Sequence, residues 1–253
     1  DKPTIVSSLR GMYAFELHVT GPTQDLHSGL YGGTVHNPLQ ALAEIVAALH
    51  KPDGSVAVPG FYDDVLQLSA EERATINQWD EADWRAATGA PQPWGEADYT
   101  LKERIGIRPT LEINGMAGGY YEAGFKTVLP AKAIAKISCR LVANQDPDKI
   151  AQAIADYIAD LTPPTVKSEI RSYHGQAASK VDIYAPAMQA AVNAYAKGWG
   201  VAPTFEREGG SIPIVAAFIS QLNVPVILMG FGLHDDGLHG PNERFTIEMF
   251  HRG

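Results

Sequence analysis

The segment 230–243 reads Gly-Phe-Gly-Leu-His-Asp-Asp-Gly-Leu-His-Gly-Pro-Asn-Glu. It gathers His234, Asp235, Asp236 and His239 just after the apolar run Pro225 to Met229, which reads as a buried strand. Imidazoles and carboxylates at the end of such a strand are what α/β proteins offer to metals and substrates. Four such groups this close in sequence cannot all face one tetrahedral ion, so at most one or two are ligands. The alternative is a solvated loop whose acids cap the next helix. A second group of polar residues, Asp25-Leu26-His27-Ser28-Gly29, sits in a glycine-rich loop. It is either a turn in which Asp25 holds backbone N–H groups, or a place where His27 donates to a developing oxyanion. Arg140 lies in an otherwise apolar strand, where a guanidinium is costly unless paired. It either forms a structural ion pair or grips a carboxylate through a bidentate contact. Glu208-Gly209-Gly210-Ser211 precedes a helix, where free N–H groups bind anions or Ser211 is the N-cap. Asn114, Lys126 and Thr127 flank glycine-rich turns, and His174 follows a strand as a hinge or site residue. Ser211 lacks the second glycine of a nucleophile elbow, and neither a dinucleotide fingerprint nor a P-loop is present.

The elements that must carry these residues follow from periodicity. Ser8 to Thr20 alternates as a strand, with Tyr13, Phe15, Leu17 and Val19 on one side and Met12, Ala14, Glu16 and His18 on the other. Asn37-Pro38 starts a helix whose Leu39, Leu42, Ile45, Val46 and Leu49 form one stripe. Residues 51–108 hold three of the four tryptophans among Glu, Asp, Ala and Pro, and read as an insertion of short helices and loops. Strands follow near Thr110 to Ile113 and from Ala133 to Val142, then a helix from Asp146-Pro147 and a strand from Val166 to Tyr173. Strand, helix, strand, strand, helix, strand is the ferredoxin-like order, two helices on one face of an antiparallel sheet. From Gln176 on, the order is a helix Pro186 to Lys197 stopped by Gly198, an apolar helix Ile212 to Ile219, a buried strand Val224 to Met229, and a final helix from Phe245. This reads as the end of a parallel α/β domain. The expected division is 7–175 for the ferredoxin-like unit, with 1–6 and 176–253 forming part of a second domain.

Composition narrows the classes. The chain has 253 residues, 45% hydrophobic and 19% charged, with a formal net charge of −9 and no basic stripe, so nucleic acid is excluded as a partner. No run of 18 apolar residues occurs, so no membrane span is expected. The single cysteine, Cys139, cannot form an internal disulfide and reads as a small buried hydrophobe; a reducing, cytoplasmic setting is expected.

Taken together, several short motifs resemble one family. They are Leu9-Arg10-Gly11, Asp25-Leu26-His27-Ser28-Gly29-Leu30-Tyr31-Gly32-Gly33, Lys126-Thr127-Val128-Leu129-Pro130, Arg140-Leu141-Val142, Arg207-Glu208-Gly209-Gly210-Ser211-Ile212-Pro213 and His239-Gly240-Pro241-Asn242-Glu243. In that order they are similar to the cocatalytic zinc peptidases: carnosine dipeptidases, carboxypeptidase G, aminoacylases, and acetylornithine and succinyl-diaminopimelate deacylases. The His27 loop and the long insertion resemble the carnosine-dipeptidase branch most. The resemblance implies an α/β catalytic domain interrupted by a ferredoxin-like lid through which the enzyme forms a homodimer. It implies two zinc ions, with manganese or cobalt as alternatives, and a dipeptide or N-acyl amino acid as substrate. By the same resemblance His239 is a zinc ligand and His27 polarises the scissile carbonyl in the partner's site. Arg140 binds the substrate carboxylate with Thr127 and His174 beside it, and Gly210 and Ser211 contact the substrate backbone. His234, Asp235 and Asp236 receive no ligand role.

The family's His-x-Asp pair, bridging aspartate, Glu-Glu pair and further aspartate have no counterpart in this sequence. The chain begins at Asp1 and is expected to be a fragment of the enzyme, inactive alone and holding few metal ligands or none. The rival expectation is a non-enzymatic ferredoxin-like module for dimerisation or ligand binding.

Overall fold

Arg10 interrupts the alternation that makes Ser8 to Thr20 look like one strand. In the computed structural model, which describes residues 3–74, 76, 78–233 and 235–253, β1 (Thr4–Leu9) and β2 (Gly11–Thr20) belong to different sheets. The chain continues through β3 (Leu26–His27), α1 (Ser28–Tyr31), α2 (Pro38–Ala48), α3 (Ala70–Ala74), α4 (Glu81–Thr88), α5 (Leu101–Gly106) and β4 (Thr110–Gly118). Next come β5 (Val128–Leu129), β6 (Lys132–Leu141), α6 (Pro147–Leu161), β7 (Lys167–Ser172) and β8 (Ser179–Lys180). The last elements are α7 (Pro186–Trp199), β9 (Thr204–Glu208), α8 (Pro213–Leu222), β10 (Leu228–Met229) and α9 (Ile247–Arg252).

The larger sheet runs β4-β6-β2-β7, antiparallel throughout, as the ferredoxin-like order requires. Tyr13, Phe15, Leu17 and Val19 face Leu42, Ile45 and Leu49 of α2 and its end, and Ile150, Ile154 and Ile158 of α6, in one buried cluster. The two helices start where the sequence says: the Asn37 side chain accepts from Leu39 N at 2.9 Å, and Asp146 from Asp148 N at 2.8 Å. Cys139 is fully buried in this core, and burial pushes its thiol pKa up.

The second sheet differs from expectation in three ways. It is mixed, not parallel: β1 pairs in parallel with β9 on one edge, and antiparallel with β10 and β8 on the other. The strand expected over Val224 to Met229 shrinks to β10, half-buried, because only Leu228 and Met229 find partners, on Val6 and Ile5. Gly198 does not stop α7; Gly200, with φ +73, does, since the left-handed cap needs a residue without a Cβ. Among the described residues no helix is long and apolar enough to cross a membrane.

Residues 51–108 pack as short helices pinned by buried charge. Arg108 meets Glu96 in a bidentate pair at 2.6 and 2.8 Å, between the rings of Tyr62 and Tyr99. Glu103, buried, accepts from Arg73 at 2.6 and 3.0 Å and from Thr100 N at 2.7 Å. Arg73 first of all holds its carboxyl below the usual range.

Candidate active site

The candidate residues fall at two ends of the larger sheet. At one end, β3 pairs with β5, and Ser28 N donates to the Thr127 carbonyl at 2.9 Å. This ties the His27 loop to the segment before β6. Asp25 closes the same turn by accepting from Ala131 N at 2.8 Å, so the turn and His27's exposure coexist. His27 is exposed. Its Nδ1 accepts from Gly29 N at 3.0 Å, which leaves the proton of the neutral ring on Nε2, 3.3 Å from Thr127 Oγ1. Backbone geometry thus sets the Nε2–H against the Thr127 hydroxyl on an exposed loop.

At the other end stand Arg140, Ser211 and Arg10. Arg140 pairs in register with Met12 on one side and Thr110 on the other. Its Nη1 donates to Ser211 Oγ at 2.7 Å, and that hydroxyl donates to the Arg10 carbonyl at 2.6 Å. Among the described residues Arg140 has no carboxylate partner, so the structural ion pair is not what holds it. Ser211 is not the cap of α8 either: Ile212 occupies that position without a side-chain bond, and the Ser211 hydroxyl is committed to Arg10 and Arg140. Gly210 is exposed beside it, with its carbonyl on Arg10 N at 3.1 Å. His174 is exposed two residues from Gln176, which exchanges backbone bonds with Met12 at 2.8 and 2.9 Å. It therefore lies at the Arg140 end.

Within one chain Thr127 does not stand beside Arg140, where the resemblance sets it: the register puts it next to His27, because β5 precedes the Lys132 end of β6 and Arg140 sits at the other. From Lys132 to Arg140 the strand advances roughly 26 Å at about 3.3 Å per residue. An extended dipeptide spans about 7 Å. One chain's His27 and Arg140 cannot meet on the same small substrate.

The segment after β10 behaves as a knit loop. Asp236, buried, accepts from Leu233 N at 2.6 Å, and Asp235 pairs with Arg244. The cap of α9 is Thr246, not these acids. His234 lies outside the described residues. His239 is exposed on a left-handed backbone (φ +59), and its ring has no hydrogen-bond partner among the described residues. Because β10 is antiparallel to β1, the chain enters this loop from the Thr4 end, whereas Ser211 lies near Leu9. A free imidazole of this kind suits one place in a coordination shell. No three His, Cys, Asp or Glu converge among the described residues, so these residues do not by themselves make a metal centre.

Asn114 and Lys126 join neither group; Lys126 lies over the Tyr120 ring at 4.7 Å. Arg10 was missed as a contributor. Its signal was an arginine between two apolar runs, directly before a glycine.

Comparison with known proteins agrees with the fold. A family profile described as the peptidase dimerisation domain (M20_dimer) matches residues 8–166. Cys-Gly metallodipeptidase dug1 of Schizosaccharomyces pombe is 33% identical over 258 residues, covering 100% of this chain and 54% of that protein. Beta-Ala-His dipeptidase of Homo sapiens is 29% identical, covering 97% of this chain and 49% of its own length. Among solved structures, human carnosine dipeptidase 1 matches with a TM-score of 0.82 at 29% identity, over 96% of this chain and 53% of that one. An M20 family metallo-carboxypeptidase from Sulfolobus solfataricus matches with a TM-score of 0.87 at 29% identity, over 99% and 57%. The chain spans about half the length of the relatives it matches. With the antiparallel βαββαβ sheet and the motif order in agreement, the chain belongs to the M20 peptidase family.

Proposed function

We propose that the whole protein is a metal-dependent dipeptidase or N-acyl-amino-acid hydrolase acting as a homodimer. In this reading Arg140 holds the substrate's free carboxylate, and His27 serves the partner's site. The observation that carries it is the opposite placement of the two groups along β6. Both are polar groups with N–H donors, yet one small substrate cannot touch both from one chain. A two-fold pair brings one copy's His27 to the other's Arg140. The names of the relatives support the substrate class: two are dipeptidases, one specified as a metallodipeptidase.

The chemistry asked of these residues is limited and concrete. Attack of water on an amide carbonyl places negative charge on its oxygen, and a preset N–H at that oxygen favours the tetrahedral state over the ground state. The Nε2–H of His27, fixed by Gly29, is such a donor. Arg140, with Ser211 taking only one of its N–H groups, keeps donors for a bidentate carboxylate contact. Thr127 stands at His27, His174 on the Arg140 side, and Gly210 next to Ser211 against the substrate backbone. We assign His239 as a metal ligand, the metal being zinc, with manganese or cobalt as substitutes. No further ligand set and no base to activate water is assigned among the described residues.

The test uses the full-length protein. His27→Ala and Arg140→Ala should each be nearly dead with unchanged metal content. Mixed and allowed to exchange subunits, they should recover about a quarter of wild-type turnover, because half of randomly formed dimers are hybrid and each holds one intact site. No recovery despite proven exchange would overturn the shared site; wild-type rates in both variants would overturn the catalytic reading itself.

A further inference from the structure

Arg10 is the single residue between β1 and β2, and so stands at the joint of the two sheets. It binds three successive residues of one loop. Its Nε donates to the Gly209 carbonyl at 3.0 Å, its backbone N donates to the Gly210 carbonyl at 3.1 Å, and its carbonyl accepts from Ser211 Oγ at 2.6 Å. The loop is shaped to receive this side chain. A Cβ on Gly209 would stand 2.8 Å from Arg10 Nη2 and 2.7 Å from Ile105 Cγ2. The Ser211 hydroxyl so fixed is the partner of Arg140 Nη1 at 2.7 Å.

We propose that Arg10 is the positioning residue of the carboxylate grip: it sets the Gly209-Gly210-Ser211 loop so that the Ser211 hydroxyl turns the remaining N–H groups of Arg140 towards the substrate. This rests on the reading of Arg140 given above. A strut between sheets would need one or two backbone bonds. Arg10 instead commits its backbone and its guanidinium to the loop that touches Arg140, and no carboxylate lies within ion-pair distance of either guanidinium among the described residues. Two cations held together without a counter-ion are unfavourable until an anion arrives. The electrostatics agree: burial first, and then the charge of Arg140, lower the Arg10 pKa to about 10, with the charge of Glu112 opposing. Binding a carboxylate on Arg140 relieves both charges, which ties Arg10 to affinity for the anion and not to bond cleavage.

The experiment compares, in the full-length enzyme, dipeptides with a free C-terminal carboxylate and the same dipeptides as C-terminal amides. Arg10→Met should raise KM for the free acids about tenfold, with kcat little changed and the amides affected less than about twofold. Arg10→Lys, which keeps the charge but not the Nε geometry, should fall between Arg10→Met and wild type. Ser211→Ala, which cuts the link while leaving the Arg10 side chain, should raise KM for the free acids at least as much as Arg10→Met does. Should Arg10→Met not fold, the lysine variant and Ser211→Ala carry the test. Arg140→Met is the control for the underlying reading. If Arg140→Met discriminates acid from amide and the Arg10 and Ser211 variants do not, the positioning role is overturned. If Arg140→Met does not discriminate either, the carboxylate reading fails and this role fails with it. A fall in kcat on both substrate classes in the Arg10 variants marks a structural strut and likewise overturns it.

Discussion

At His27 the backbone decides which nitrogen carries the proton. Gly29 N occupies Nδ1, so the donor is Nε2, and it stands on the exposed side of the loop. This gives a graded expectation for the full-length enzyme. His27→Asn can still accept from Gly29 N but ends short of the Nε2 position, and kcat should fall about 10²- to 10³-fold, the usual loss for one oxyanion donor. His27→Gln places an amide N–H nearer that position and should lose less. Steady-state rates on one dipeptide check the order; an equal loss in both would mean that ring nitrogen geometry is not what matters. The anomaly of Arg140 in an apolar strand was legible in the sequence, because an unpaired guanidinium there demands a reason. Its partner was not: Ser211 lies 71 positions away, and nothing local points to it. The separation of Thr127 from Arg140 within one chain was hidden for the same reason, since where a residue falls along a sheet is fixed by pairing, not by proximity to a motif.

Elements with local signals were legible and those set by pairing were not. Asn37-Pro38 and Asp146-Pro147 mark their helices because the cap and the proline act within one turn. The short β10 could not be read from its apolar run, because its extent depends on β1 offering only Ile5 and Val6. In the insertion the tryptophans drew attention, yet the fastening is ionic. Glu96→Gln should strand Arg108, which is buried, and cost about 3 kcal/mol. Pairing it with Arg108→Met should return part of that loss, measured by urea unfolding; a neutral single change would show that the pair holds nothing. Glu103 adds a pH signature. Its folded pKa is lowered, so its contribution is present above the ordinary carboxylate pKa and is lost as pH falls through the folded one. The acid limb of the stability curve should therefore flatten in Glu103→Gln.

At the scale of the molecule, two strands cross between the sheets side by side. A Cβ on Gly11 would lie 2.3 Å from the Gln176 carbonyl oxygen and 2.6 Å from Ala178 N, both backbone atoms that cannot swing aside. Gly11→Ala should thus cost about 1–3 kcal/mol from overpacking, seen as a lowered unfolding midpoint; an unchanged midpoint would mean the crossing is loose. The ferredoxin-like half of this architecture was legible because each of its strands and helices repeats its own period. The other half was not, since its mixed sheet is defined by which edge of β1 each strand takes. The length of β6 has a further consequence, and it belongs to genetics. With His27 at one end and Arg140 at the other, lesions in the two residues are not equivalent to one lesion counted twice. In the proposed shared-site dimer, they complement when carried on separate alleles. Carried on one allele beside a normal copy, they spoil both sites of every mixed dimer, so output falls with the square of the normal fraction and the allele is partly dominant. Either lesion alone beside a normal copy leaves one intact site in every mixed dimer and about half of the output, whereas both lesions, on one allele or split between two, leave about a quarter.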